Sequence, residues 1–281
     1  MTILLAGGTG FLGRNLARAL EAKGHSVMIL TRGSGQKQET RRTLVQWDAK
    51  NPGDWTASFE KADAVINLAG ESIGGGRWTK GRKERILNSR LDATNAIVRA
   101  MSMASRKPGI LVNASGVDYY GNVREGEVTE SSPPGKGFLE ETCLLWEQAA
   151  WKAEALGVRV VIMRTAFILG RGAEAFRKLQ LPFRLFAGGP FGSGDQWFSW
   201  IHLHDAVQGY LFALEHPTLS GPVNLSSPNS VHVNTLATEL GKVLHRPSFL
   251  PAPSFALKMV LGEMSDLLLK GRSVTPHRLK E

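Results

Sequence analysis

The run Ile3-Leu4-Leu5-Ala6-Gly7-Gly8-Thr9-Gly10-Phe11-Leu12-Gly13 decides how this chain is read. Its first four residues are apolar without a break, as in a strand covered on both faces. The glycines follow at once, and residues 15–23 then carry a helical pattern that stops at Gly24. A G-x-G-x-x-G run between a strand and a helix predicts a dinucleotide-binding turn. Its glycines allow a tight bend and close approach to a pyrophosphate, whose charge the helix N-terminus favours.

The chain has 281 residues, 42% of them hydrophobic, enough for one large domain or two lobes around a substantial core. No apolar run is long enough to cross a bilayer, and a strand starting almost at Met1 leaves no room for a targeting peptide. The one cysteine, Cys143, excludes an intrachain disulfide and a cysteine-rich metal site, and no metal is expected. These features predict a cytoplasmic protein with no membrane partner. The net charge of +9 is dispersed and interleaved with acids, and no nucleic-acid motif accompanies it. Residues 77–90, the densest basic stretch, have the spacing of a solvated helix face. A phosphate-bearing cofactor or substrate uses such charge as well as a nucleic acid does.

Strand-like runs at Ile3-Ala6, Ser26-Thr31, Leu44-Trp47, Ala64-Leu68, Ile110-Ser115 and Arg159-Arg164 alternate with helical patterns, the long ones near residues 80–105 and 139–156. This alternation predicts an α/β fold with a doubly wound parallel sheet of the Rossmann type. The cofactor crevice then lies at the carboxyl ends of the strands. After Gly170 the pattern breaks up into glycine-rich and aromatic turns and short helices. Residues 1–170 read as the dinucleotide-binding domain. Residues 171–200 and 227–281 read as a smaller C-terminal substrate lobe, with 201–226 returning to the first. Residues 32–42 read as an exposed loop.

The end of the second strand selects the dinucleotide. An acid there binds the ribose hydroxyls of NAD, whereas an arginine accommodates the extra phosphate of NADP. Here the strand ends Ile29-Leu30-Thr31-Arg32, Ser34 is close, and no acid appears before Glu39. Arg32 offers a planar fork of donors, and Arg14 is placed to face the same phosphate. NADP(H) is the expected cofactor.

Together, Gly7-x-x-Gly10-x-x-Gly13, Asn67-Leu68-Ala69-Gly70, Tyr120-Gly121 and Arg164 resemble the extended short-chain dehydrogenase/reductase superfamily, its epimerase/dehydratase group. Glu71-Ser72-Ile73, Arg77-Trp78-Thr79, Ser89-Arg90, Tyr119-Tyr120-Gly121 and the run from Gly192 to His202 resemble an atypical subgroup labelled only as epimerase-family proteins. The resemblance spans nearly the whole chain and implies a further Gly-Phe and aromatic segment beyond Glu281. It implies that Gly7, Thr9, Gly10, Phe11, Leu12 and Gly13 hold the pyrophosphate and that Thr31 and Arg32 meet the ribose phosphate. It implies that Trp47 or Asp48 borders adenine. Leu68, Ala69, Gly70 and Glu71 would then line the nicotinamide ribose, with Arg90 as a further candidate.

The resemblance fails at the catalytic residues. Superfamily members move a proton with a Tyr followed four residues later by a Lys, which lowers the Tyr pKa toward the working pH. Here the residues four beyond Tyr119, Tyr120 and Tyr210 are Val123, Arg124 and Leu214. Counting back from Arg164, the pair falls at Cys143 and Glu147, or at Gln148 and Lys152. The assisting hydroxyl, four residues before the Tyr-Gly pair, is replaced by Gly116, with Ser115 one residue earlier. Tyr119, Tyr120 and Ser115 are the remaining catalytic candidates. Glu71 and Glu147 are other acids, and Cys143 reads as a small buried residue.

Arg77, Trp78 and Lys80 read as a loop at the substrate mouth. Gln196, Trp197 and Trp200 reach toward a cleft between lobes, where a small-molecule substrate would bind. His202 and Asp205 read as a helix start. The expected function is an NADP(H)-binding oxidoreductase or epimerase-like protein acting on a small polar substrate. The alternative is a non-catalytic NADP(H)-sensing or interaction protein. The sequence leaves homo-oligomer formation open.

Overall fold

In the computed structural model, which describes residues 1–33, 38–39 and 42–280, the apolar runs become the parallel strands of one sheet. They are β1 (Thr2–Ala6), β2 (Ser26–Thr31), β3 (Arg42–Gln46), β4 (Ala64–Asn67), β5 (Ile110–Gly116), β6 (Arg159–Thr165) and β7 (Gly221–Leu225). Their spatial order is β7-β6-β5-β4-β1-β2-β3, and Gln38–Glu39 adds an antiparallel pair at the β3 edge. The order reverses direction between β1 and β4, which places a crevice at the carboxyl ends of those two strands.

Alternate residues of each strand face opposite layers. Ile3, Leu5, Ile29, Ile66, Val112 and Met163 pack on one face with Leu16 and Leu20 of α1 (Phe11–Ala22). Tyr210 and Leu214 of α5 (Leu203–Glu215) complete that layer. Leu4, Leu30, Val65, Leu111 and Ile162 face the other way, toward Ile97 and Met101 of α2 (Lys80–Met103) and Ala150 of α3 (Phe138–Trp151). Strands buried on both faces account for the unbroken apolar runs in the sequence.

The smaller lobe holds α4 (Glu174–Arg184), α6 (Val233–Leu244) and α7 (Ser254–Leu261). Phe183 packs there against Leu236, Ala237 and Leu240. Trp197–Phe198 pairs with Val231–His232 inside this region, while Trp200–His202 with Phe167–Leu169 and Ser273–Val274 with Glu127–Val128 join it to segments that follow strands of the sheet.

Some expectations shift. The third strand runs Arg42–Gln46 rather than Leu44-Trp47; the Trp47 amide still donates to the Thr31 carbonyl at 3.0 Å, and its indole packs edge-on against Trp55 with ring centroids 5.3 Å apart. The helix expected over 139–156 ends at Trp151. The chain then tightens into a short turn, Glu154–Leu156, closed by left-handed Gly157. Of the loop expected over 32–42, residues 34–37, 40 and 41, Ser34 among them, lie outside the described residues. His202 caps α5 by accepting from the His204 amide at 3.2 Å, with Asp205 in the first turn, as a helix start requires.

Gly13 fixes how closely α1 approaches β1. A Cβ there would lie 2.3 Å from the Gly7 carbonyl oxygen and 2.7 Å from Gly8 Cα, both backbone atoms that cannot move aside. Gly13→Ala is expected to destabilise the fold by about 1–3 kcal/mol and to abolish dinucleotide binding. Urea unfolding and a nucleotide titration on the same sample check both effects.

Candidate functional site

The turn after β1 is shaped as a backbone cradle. Gly7 has φ +76°, and a Cβ on it would lie 2.7 Å from the Leu68 carbonyl oxygen across the β1–β4 crevice. The Gly10 amide closes the turn on the Gly7 carbonyl at 3.0 Å. α1 starts at Phe11 with no side-chain cap and no acid in its first turn, so its leading amides and positive dipole end are not neutralised locally. Arg14 is held at this turn by a bond from Nη1 to the Thr9 carbonyl. Phe11 turns outward, its ring 3.1 Å from where a Gly170 Cβ would lie, and Leu12 packs on the core. Amide donors, a nearby guanidinium and the lack of room for side chains fit a pyrophosphate.

At the end of β2, the Thr31 hydroxyl accepts from the Gly33 amide at 3.2 Å and shapes the turn that presents Arg32. Arg32 is exposed and has no ion pair among the described residues. With Trp47, Asp48 and Trp55 it lines a groove of about 1030 Å³. Asp48 accepts from the amides of Asn51 and Lys50 at 2.9 and 2.8 Å and from the Asn51 side chain at 2.9 Å. The Asn51 amide, followed by that of Lys50, holds its carboxyl below the usual range. Asp48 therefore shapes the groove's rim.

Beyond β4, Asn67 is fully buried and bonded to Thr94 and Asn113, and its own Oδ1 accepts from the Ala69 amide at 3.1 Å. That network fixes Leu68, Ala69 and Gly70 along the crevice. Gly70 has no side chain because Arg90 lies against it: a Cβ would be 3.1 Å from the guanidinium carbon. Arg90 Nη1 donates to the carbonyls of Glu71 and Ile86, and its guanidinium covers the Trp146 ring at 5.0 Å. The Glu71 carboxylate points the other way, to Arg82 at 2.9 Å and Arg85 at 3.6 Å, so Glu71 contributes its backbone to this edge.

The reacting end is built around a buried ion pair. Arg164 on β6 donates through Nε and Nη2 to both oxygens of Glu147 on α3, at 2.9 and 2.8 Å, with both residues under 5% exposed. Ser115 donates to the same carboxylate at 2.7 Å. Arg164 Nη1 donates to the Tyr120 hydroxyl at 2.9 Å, which in turn donates to Asn224 Oδ1 at 2.6 Å. Burial pushes the Tyr120 phenol up to about 12. The hydroxyls of Ser115 and Tyr120 and the carboxylate of Glu147 are thus all bonded inside the protein.

A Cβ on Gly116 would lie 3.7 Å from Cys143 Sγ, so Gly116 and Cys143 face each other across the end of β5 and α3. Lys152 bonds Asn95 at the surface. The Cys143 thiol is buried and pushed up to about 12 by desolvation, so it carries no thiolate at neutral pH. Tyr119 stacks on the Arg164 guanidinium at 3.6 Å, and its hydroxyl has no protein partner among the described residues. Asp118 was not singled out by the sequence reading. Its Oδ2 lies 3.4 Å from the Gly116 Cβ position, and its Oδ1 accepts from Arg272 at 2.8 Å.

The residues expected at a substrate mouth make contacts within the protein. Trp78 is buried, edge-on to Phe138, with its indole bonded to the Ile73 carbonyl. Arg77 donates to the carbonyls of Met259 and Val260 at the end of α7. Gln196 donates to Phe191 and Leu268, and Trp200 to Asn229. The polar atoms of all four close loops.

A seven-stranded parallel sheet with a glycine cradle at its switch point defines a dinucleotide-binding protein of the extended short-chain dehydrogenase/reductase fold. The family model described as NAD-dependent epimerase/dehydratase matches residues 3–225, and a domain of unknown function matches residues 252–281. The chain is 40% identical to the epimerase family protein YfhF of Bacillus subtilis, over 99% of its length and 91% of the relative's. It is also 40% identical to a chloroplastic SDR39U1 homolog of Arabidopsis thaliana, covering 100% of the chain and 82% of that protein. The crystal structure of human epimerase family protein SDR39U1 with NADPH superposes with a TM-score of 0.86 at 35% identity, over 99% of this chain and 92% of that one. The chain belongs to the NAD-dependent epimerase/dehydratase family and is an NAD(P)-binding, epimerase-like protein.

Two substitutions separate the tyrosines. Tyr120→Phe leaves Arg164 and Asn224 short of a buried partner and is expected to cost about 1–3 kcal/mol in urea unfolding. Tyr119→Phe is expected to stay within about 0.5 kcal/mol of wild type. Arg164→Met strands Glu147 and is expected to cost about 3–5 kcal/mol, part of which a second change, Glu147→Leu, restores.

Proposed function

We propose that the protein binds NADP(H) and acts as an oxidoreductase on a small polar substrate, without the Tyr/Lys proton carrier of its superfamily. The observation that carries the cofactor choice is Arg32: an exposed guanidinium at the end of β2, unpaired among the described residues, where an NAD site places an acid. Arg14 adds a second cation beside the same turn. The NADPH in the human relative's structure supports the same choice.

Bound there, the nicotinamide would supply or accept a hydride. The protein's own groups do the rest. The cradle from Gly7 to Gly13 orients the pyrophosphate, and Leu68, Ala69 and Gly70 line the ribose side. Arg90 covers Gly70 and screens that edge from water. Among the groups at this end, the Tyr119 hydroxyl is the one with no protein partner among the described residues, and Asp118 keeps one carboxylate oxygen beyond its bond to Arg272; Ser115, Tyr120 and Glu147 are bonded inside the protein and Cys143 is neutral. A hydride delivered to an activated double bond needs less help from a protein acid than a sugar epimerisation does. The absence of a Tyr-x-x-x-Lys pair, together with the buried Arg164–Glu147 ion pair, favours one further reading, an NADP(H) sensor without turnover.

Nicotinamide fluorescence titration tests the cofactor choice. NADPH is expected to bind at least about tenfold tighter than NADH, as one charge-assisted contact to the extra phosphate provides. Arg32→Glu is expected to erase that preference, and equal affinity of the wild type for both cofactors contradicts the proposal. NADPH oxidation across carbonyl and enone compounds then separates enzyme from sensor.

A further inference from the structure

Arg272 is placed by a backbone with little freedom. The Gly271 amide donates to Asn122 at 2.9 Å and its carbonyl accepts from the Val123 amide at 2.8 Å. A Cβ on Gly271 would lie 2.4 Å from the Trp197 carbonyl oxygen, so the chain passes here with no room for a side chain. Arg272's own carbonyl accepts from Ser199 at 2.6 Å, and Ser273–Val274 then pairs with Glu127–Val128. The segment that matches a domain of unknown function thus delivers one guanidinium to the reacting end of the crevice.

The Arg272 side chain is 9% exposed, and its guanidinium is only partly bonded. Nη1 reaches Asp118, whereas Nε is buried with no hydrogen-bond partner among the described residues. An orphaned buried donor costs about 1–3 kcal/mol unless something else accepts from it. Arginine binds carboxylate and phosphate through a pair of parallel N–H groups, and the Nε edge of Arg272 is one such unmatched pair. Arg272 pairs with Asp118 through Nη1 alone, and the nearby Glu71 carboxylate is already engaged by Arg82 and Arg85.

We propose that Arg272 anchors an oxyanion subsite, binding a carboxylate or phosphate group of the substrate beside Asp118 through its unmatched guanidinium edge. The inference rests on the reading that this crevice is the substrate end of an NADP(H) site, and it narrows the substrate class to small anions. Asp118 then has two roles: it holds the guanidinium in place, and it sits next to the bound group as a carboxylate with one oxygen directed at Gly116.

Calorimetric titration with inorganic phosphate and with malonate, each with and without saturating NADPH, tests this. The native protein is expected to bind at least one of the two, and the preferred anion identifies the source. Arg272→Gln is expected to weaken that binding about tenfold or more while leaving NADPH affinity unchanged. Arg272→Lys, which keeps the charge but not the fork, is expected to fall between the two. Arg246→Gln on the surface is expected to match the wild type. Failure of the native protein to bind either anion overturns the proposal, as does unchanged anion binding in an Arg272→Gln protein with native circular dichroism. If Arg272→Gln does not fold, Arg272→Lys decides: anion binding equal to wild type overturns the subsite. Failure of NADPH to bind would instead overturn the cofactor reading, and the titrations without cofactor would still report on Arg272.

Discussion

The close approach of the β1 turn to the end of β4 is the constraint on which the rest of this site depends. Gly7 and Gly13 sit where any side chain would strike backbone, so the turn presents amides and little else to the crevice. The cradle it forms is local: it needs β1, α1 and the 68–70 edge, and none of the residues at the reacting end. A chain can therefore keep its nucleotide half intact while its chemical half changes.

The arrangement at the reacting end is physically coherent. Counting back from Arg164, the superfamily's tyrosine and lysine positions fall at Cys143 and Glu147 or at Gln148 and Lys152, and neither offers the tyrosine. A carboxylate buried in α3 requires a counter-charge, and Arg164 supplies it from β6 with two parallel hydrogen bonds. Ser115, Tyr120 and Asn224 complete the hydrogen bonding around the pair. The result is a polar wall behind the reacting end, and proton chemistry there is left to groups in front of it.

Much of the fold was legible from local patterns. Apolar runs without alternation require strands covered on both faces, and helices between them require parallel crossovers. The cofactor half was legible because glycine is demanded by backbone geometry that sequence displays directly. The reacting end was less so. Tyr120 and Tyr119 look equivalent in sequence, and only the partners Arg164 and Asn224, more than forty residues away, distinguish a bonded phenol from a free one. One signal was available: Arg164 ends the apolar run Val160-Val161-Ile162-Met163, and an arginine in so buried a strand requires an acid on the helix covering it. Asp118 and Arg272 gave no such sign, because their pairing spans more than half the chain. Trp78 and Gln196 were placed at a substrate mouth by their chemistry, yet both serve loop closure, a role that bulky amphipathic side chains fill equally well.

A crystal structure of the NADPH complex distinguishes a working NADP(H) cradle beside a closed ion pair from the alternatives. The expected complex has the Arg32 guanidinium on the 2′-phosphate, the pyrophosphate against the amides from Gly10 to Gly13, and Tyr119 and Asp118 bordering the nicotinamide. The Arg164–Glu147 pair would remain closed. A complex in which Arg32 points to solvent, or in which Glu147 leaves Arg164 to contact the nicotinamide, would contradict this expectation.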